Sequence, residues 1–291
     1  MNIINNLNFI FWGTPDVAAE TLEILKQAGF LPSMIITSPD AKQGRKMLLT
    51  PPPVKVWAEK NNIPYMQPNT NTELRLIFSH YVRPSRISRS KKLNEAQCNL
   101  SIVVAYGKII PEDILNLPKF GSLNVHYSLL PKYRGASPVE SAILNGNAET
   151  GVTIQKMAYQ MDAGDILAQE KINILPDETA PELRQRLIRL GEELLIKILP
   201  DFLENKITPI PQDESRATYC QKIKKGDGLI DLNDNPIKNY NKFRAYAHWP
   251  RTFFFKNGKR IIITKAHLKD EKFVIDKIIP EGGKEINYRG F

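Results

Sequence analysis

Cysteine and histidine are scarce in this chain, and each scarcity removes a chemistry. Only Cys98 and Cys220 occur among 291 residues, with no paired metal-ligand spacing and no second Cys close to either, so reduced structural thiols are expected. The four histidines, His80, His126, His248 and His267, stand far apart with no H-E-x-x-H, so no metal site is predicted. No G-x-G-x-x-G follows the first strand-like run and no G-x-x-x-x-G-K-[ST] occurs, which argues against a dinucleotide cofactor or an ATP step. The G-x-S-x-G elbow of the commonest serine hydrolases is missing too. No apolar run approaches the roughly 18 residues needed to cross a bilayer. The N-terminal MNIINNLNFIFWG has no basic region followed by an apolar core. A soluble, unprocessed, cytoplasmic protein with no membrane partner is the expectation.

What is present suits a globular protein of two domains, since 291 residues exceed the roughly 100 to 200 of a typical domain. The formal net charge of +9 is concentrated: Arg75, Arg83, Arg86, Arg89, Lys91 and Lys92 lie in one stretch with no Asp or Glu, leaving +3 for all other residues. Such a stretch is either a solvated surface insertion, partly disordered, or an RNA-binding arm. From Arg75 to Lys92 it shows no sustained period of two or 3.6.

The order of the remaining patterns points to an α/β fold. Asn8 to Trp12 is apolar and ends in Gly13-Thr14-Pro15-Asp16, after which Val17, Leu22, Leu25 and Ala28 recur at helical spacing. Strands are predicted at 33–37, 100–105 and 123–126, and helices at 54–61, 112–117 and 138–144. An antiparallel-looking strand pair at 152–157 and 166–174 precedes a long helix over 179–203. That alternation predicts a doubly wound, mainly parallel sheet in an N-terminal domain spanning residues 1–206. Pro209-Ile210-Pro211 then marks a linker over 207–211. Beyond it, short alternating runs at 218–223, 228–232, 252–256, 260–266 and 272–278 predict a small β-barrel (OB-like) domain over 212–291.

Three residues carry the chemistry. Asn124 and His126 sit two apart at a strand end, so both side chains leave one face, at the carboxyl edge where open α/β sheets hold ligands. An Asn amide donates to a carbonyl oxygen that gains negative charge, and an imidazole moves protons near neutral pH. Asp162, thirty-six residues past His126, lies in Met161-Asp162-Ala163-Gly164-Asp165 and either forms a turn or orients that imidazole. The Pro- and Gly-bearing turn Ser128-Leu129-Leu130-Pro131 with Arg134-Gly135 offers backbone groups able to hold a planar heterocycle.

Those residues also carry a resemblance. Asn124-Val125-His126-x-Ser128-Leu129-Leu130-Pro131, Arg134-Gly135, Glu149-Thr150-Gly151-Val152-Thr153 and Asp162-x-Gly164-Asp165 resemble the folate-dependent formyltransferases. The opening Gly13-Thr14-Pro15-Asp16, the loop from Pro39-Asp40 to Gly44-Arg45, Pro53-Val54-Lys55, the Val103 to Gly107 strand and the tail motif Trp249-Pro250 resemble the branch acting on aminoacylated initiator tRNA. The resemblance implies formyl transfer from 10-formyltetrahydrofolate to the α-amino group of methionyl-initiator tRNA, by a monomer needing no metal. It implies Asn124, His126 and Asp162 as catalytic, Ser128, Leu129, Leu130 and Pro131 as folate-binding, and Arg45 as tRNA-binding. A carboxylate at Asp162 would favour the protonated imidazole.

The chain departs from that pattern at Lys46-Met47-Leu48, where the family commonly has Gly and two Lys, so a weaker grip on phosphate is expected. The basic stretch 75–92 is a second departure. Rival readings are a formyltransferase for a small amine such as a nucleotide precursor or amino sugar, a nonenzymatic RNA-binding protein on the same scaffold, and a formyl-folate hydrolase. The separate C-terminal domain and the Pro39 to Arg45 loop speak against the first and third, and the intact trio against the second.

Overall fold

A computed structural model of the chain describes residues 7–44, 47–81 and 98–288. In chain order its first half contains β1 (Phe9–Gly13), α1 (Asp16–Gln27), β2 (Met34–Ile36), β3 (Ala41–Gln43), β4 (Leu48–Thr50), α2 (Pro53–Lys60), β5 (Tyr65–Met66), α3 (Asn71–Tyr81), β6 (Leu100–Val104), α4 (Glu112–Leu115) and β7 (Ser122–His126). There follow β8 (Arg134–Gly135), α5 (Pro138–Leu144), β9 (Glu149–Lys156), β10 (Ile166–Asn173), α6 (Ala180–Leu203), β11 (Tyr219–Cys220), α7 (Pro236–Ala245), β12 (Phe253–Lys256), β13 (Lys259–Lys269), β14 (Lys272–Pro280) and β15 (Ile286–Asn287). Among the described residues no helix is long and apolar enough to cross a membrane.

Contacts divide the described chain into two compact units. The first draws on residues 1–126, 153–169 and 188–212, and the second on 127–152, 170–187 and 213–291.

A seven-stranded sheet has the order β10-β9-β7-β6-β1-β2-β5. Its strands from β7 to β5 are all parallel, while β9 runs antiparallel to β7. The interior strand β1 reads Phe-Ile-Phe-Trp-Gly and every residue is buried, the continuous apolar run demanded of a parallel strand covered on both faces. Gly13 ends it because α1 returns so closely: an added Cβ would lie 2.5 Å from the Ala18 Cβ and 2.9 Å from the Val104 carbonyl. On α1 the buried Ala18, Leu22 and Leu25 form the stripe that faces the core.

The helix α3 runs to Tyr81, so residues 75–81 are regular rather than aperiodic. Leu74 and Phe78, four apart on one face, are buried, and Phe78 stacks on Trp12 at 5.3 Å between ring centroids. Arg75 points outward and makes two hydrogen bonds to Asp113, at 2.8 and 3.1 Å. One of the six clustered charges is thereby paired within the fold. Residues 82–92 of that stretch lie outside the described residues.

In the second unit β8 pairs in parallel with β11. The C-terminal β domain is a four-stranded antiparallel sheet, β12-β13-β14-β15, over a core of Ile230, Phe254, Ile261, Ile263, Ile275 and Ile278. Two strands expected from the alternation are much shorter. Residues 218–223 supply only the two-residue β11, and 228–232 only the bridge Leu229 to Phe253. The helix α7, absent from the sequence reading, packs on β13 and β14. Asn235 caps it, its side-chain oxygen accepting from Ile237 N (2.9 Å) and Lys238 N (3.1 Å), and Pro236 stands at the first helical position.

Candidate active site

Strand β7 reads Ser-Leu-Asn-Val-His, and its period of two places Asn124 and His126 on one face. Both are buried. Antiparallel β9 sets Gln155 opposite Asn124 and Thr153 opposite His126, so a second pair of polar side chains shares that face. After β9 the chain turns, and Lys156 N donates to the Asp165 carbonyl at 2.8 Å as β10 begins. Asp162 occupies the tip of this turn in the left-handed region, φ 51°, a conformation that short polar side chains tolerate better than most.

The turn brings the three predicted residues together. Asp162 Oδ2 lies 3.7 Å from His126 Nδ1, within ion-pair range. Asn124 Nδ2 donates to Asp162 Oδ1 at 3.4 Å. The side chains of His126 and Asp162 are 6% and 14% exposed, so both face a largely water-poor interior. An amide donor, an imidazole and a carboxylate thus meet at the carboxyl end of a buried strand. The set can donate to a developing oxyanion and pass a proton beside it.

Two further residues hold this arrangement. Gln155 Nε2 donates to Asp162 Oδ1 at 3.1 Å. Gln212 Nε2 donates to two carbonyls of the turn, Asp162 O at 2.8 Å and Gly164 O at 2.7 Å. Gln155 was legible in principle, because Thr153 and Gln155 alternate with Val152 and Ile154 along the strand. Gln212 leaves no such signal.

Gly164 permits the turn's close return: an added Cβ would stand 1.9 Å from the Lys156 carbonyl oxygen. Gly164→Ala is expected to destabilise the protein by about 1–3 kcal/mol. Denaturant unfolding and kcat, measured side by side, check this; wild-type values of both would contradict it.

The turn Ser128–Pro131 lies in the second compact unit. It is closed by Ser128 Oγ donating to the Lys132 carbonyl at 2.6 Å and by Lys132 N donating to Leu129 O at 3.1 Å, and its Leu130-Pro131 peptide is cis. Ser128 and Leu130 are buried. Arg134 follows, fully buried, its guanidinium donating twice to Glu214 (2.9 and 2.6 Å).

Arg45 lies outside the described residues. The hairpin around it is formed by β3 and β4, with Met47, Leu48 and Leu49 exposed. At its base Lys55 donates to both carboxylate oxygens of Asp40 (2.9 and 2.8 Å) and Gln67 to one of them (2.8 Å). The Lys55 hydrogen bond, then that of Gln67, holds the Asp40 carboxyl below its usual range. At the neighbouring strand ends Thr14 Oγ1 donates to the Tyr106 carbonyl (3.0 Å) and meets Ser38 Oγ (3.1 Å), tying the loops after β1, β2 and β6 to one another.

A buried strand ending in Asn-x-His, with an Asp returned to it on an antiparallel excursion, sits within a chain that matches the formyl transferase family over residues 5–199 and the formyl transferase C-terminal domain over 222–289. The chain belongs to that family. Among its relatives are the methionyl-tRNA formyltransferases of Sulfurihydrogenibium sp., 39% identical over 90% of this chain and 80% of the relative, and of Thermotoga maritima, 42% identical over 84% and 74%. Solved structures share the fold at lower identity. A sugar 3N-formyl transferase, in the presence of dTDP and 5-N-formyl-THF, superposes with a TM-score of 0.67 at 19% identity, covering 97% of each chain. The methionyl-tRNA formyltransferase from Clostridium thermocellum gives 0.59 at 17%, covering 97% of this chain and 99% of its own.

Proposed function

We propose that this chain is an enzyme that transfers a formyl group from 10-formyltetrahydrofolate to the α-amino group of methionyl-initiator tRNA, in the cytoplasm, for translation initiation. The observation that carries this reading is identity of 39–42% with relatives named methionyl-tRNA formyltransferase, over 84–90% of the chain. The side chains of the site fit a one-carbon donor. They offer one amide and one imidazole for an oxygen, and a carboxylate to steady the imidazole.

The donor is a second substrate, consumed in each cycle. The neutral amine attacks the formyl carbon, a C–N bond forms, and negative charge builds on the formyl oxygen. The Asn124 amide and the protonated His126 donate to that oxygen. Collapse breaks the bond to the donor nitrogen, and the proton lost by the acceptor ammonium passes to that nitrogen through His126 or a water held by Asp162. The turn Ser128, Leu129, Leu130 and Pro131 holds the folate ring.

Residues 1–206 supply the catalytic domain in this reading, 207–211 the linker and 212–291 a domain that grips tRNA. Charge supports the last assignment, because residues 212–291 hold 17 Lys and Arg against 10 Asp and Glu, a formal +7 of the chain's +9. Arg45, between β3 and β4 in the sequence, is the N-terminal contact in this reading. Phosphate contacts of this kind make affinity fall steeply with salt.

Incubation of the purified protein with 10-formyltetrahydrofolate and either methionyl-initiator tRNA or small amines tests the assignment. Formylated methionyl-tRNA is the expected product. A formylated small amine with tRNA untouched would overturn it.

A further inference from the structure

We propose that Gln155 is a positioning residue of this site, one that keeps the Asp162 carboxylate turned towards His126 while the Asn124 amide serves the formyl oxygen. The inference rests on the catalytic reading above and adds a residue to it.

The two oxygens of Asp162 face different partners. Oδ2 looks to His126 Nδ1 (3.7 Å), whereas Oδ1 receives two amides, from Gln155 at 3.1 Å and from Asn124 at 3.4 Å. Register explains the convergence, because Asn124 and Gln155 are direct cross-strand neighbours on β7 and β9. Their bonds are unequal. At 3.4 Å the Asn124 contact is longer than ordinary N–H···O bonds, and the Gln155 contact is within their range.

That inequality matters once an oxyanion forms. The Asn124 amide has two N–H groups, so one can serve a substrate oxygen while the other keeps only its long 3.4 Å contact to Oδ1. A contact of that length holds Oδ1 weakly, and rotation about the Asp162 Cβ–Cγ bond would carry Oδ2 away from the imidazole. Gln155 prevents this by staying on Oδ1 throughout. The backbone of the same turn is fixed separately by Gln212, so only the side-chain torsion of Asp162 needs a second hold.

A second observation sets Gln155 apart from a packing residue. It is 1% exposed, and its Oε1 is buried with no hydrogen-bond partner among the described residues. A buried acceptor left unmet is unfavourable, and a Met of similar shape would remove that defect. Packing alone gives no reason for an amide at this position, whereas its donation to Asp162 does.

The test compares wild type with Gln155→Met and Gln155→Glu in single-turnover formylation, using whichever acceptor the wild-type protein formylates. A wrong acceptor assignment therefore shows in the wild type alone, and a wrong role for Gln155 in the variants alone. For Gln155→Met we expect kcat to fall about 10- to 100-fold, KM for both substrates to stay within about twofold, and Tm to change little, since the variant loses an unmet acceptor and a donor to Asp162 together. Gln155→Glu sets a second carboxylate against Asp162, and the pair then shares a proton at low pH. Its acidic limb in the pH profile of kcat should move upward, with part of the activity returning on the alkaline side. A wild-type kcat in Gln155→Met, a kcat loss that simply follows a lower Tm, or a Glu variant with an unmoved pH profile would each overturn the proposal.

Discussion

Asn124→Ala should lower kcat about 100- to 1,000-fold, a loss of about 3–4 kcal/mol of transition-state stabilisation, the size found when one donor to an oxyanion is removed. The physical reason is local. The amide projects from the last turnless stretch of β7, is 9% exposed, and lies beside an imidazole and a carboxylate in a region that excludes most water. In such surroundings a single donor is worth far more than in solvent. KM for both substrates should change little, because the bond strengthens only as charge develops on oxygen. His126→Ala should reduce kcat at least as strongly. Single-turnover rates at saturating substrates check both variants, and a fall of less than about tenfold for Asn124→Ala would remove it from the oxyanion role.

The second large effect concerns stability. Glu192 on α6 is fully buried, and among the described residues neither carboxyl oxygen has a full hydrogen-bond partner, the nearby Thr21 hydroxyl being already donated to the Val17 carbonyl at 2.9 Å. Burial pushes this carboxyl up to about 7 from its ordinary 4.5, with Thr21 opposing only in part. The native state therefore holds a proton that the unfolded chain has released between those two values. Stability falls as pH rises through that window, by about 3 kcal/mol in full at roughly 1.4 kcal/mol per unit. Above pH 7 the loss is complete; below 4.5 it is absent. Glu192→Gln removes the charge, so its stability relative to wild type should climb by about that amount between pH 4.5 and pH 8. Paired denaturant unfolding at the two pH values isolates the effect, since all other carboxyls are common to both proteins. A difference between variant and wild type that does not change with pH would contradict it.

Much of this was readable in the chain before any coordinates. The helix 138–144 was read to the residue, and Asn124 and His126 fall on one face for the reason their spacing gives. Other parts were hidden by specific physical circumstances. No helix is predicted over α3, because Leu74 lies just before the basic stretch and Phe78 within it, so the charges mask a single apolar pair four apart. α7 shows no clean apolar stripe, since it buries Asn239, Asn241 and Arg244 alongside Tyr240 and Ala245. They make hydrogen bonds such as Arg244 Nη2 to Asn241 Oδ1 (2.7 Å) and Arg244 Nη1 to the Glu178 carbonyl (3.2 Å). Polar burial of this kind leaves no periodic mark. Asp162 showed itself only through its motif, because nothing in a turn says which strand it will fold back upon. Gln212 could not have been found, its contacts reaching back 48 and 50 residues from a proline-bearing segment.

That segment is no slack tether. Between its two prolines Ile210 exchanges both backbone hydrogen bonds with Ile166, at 2.8 and 2.9 Å, and two residues later Gln212 grips the Asp162 loop. It is a strap buckled onto the backbone of the Asp162 turn, so a shift of residues 210–212 reaches that turn directly.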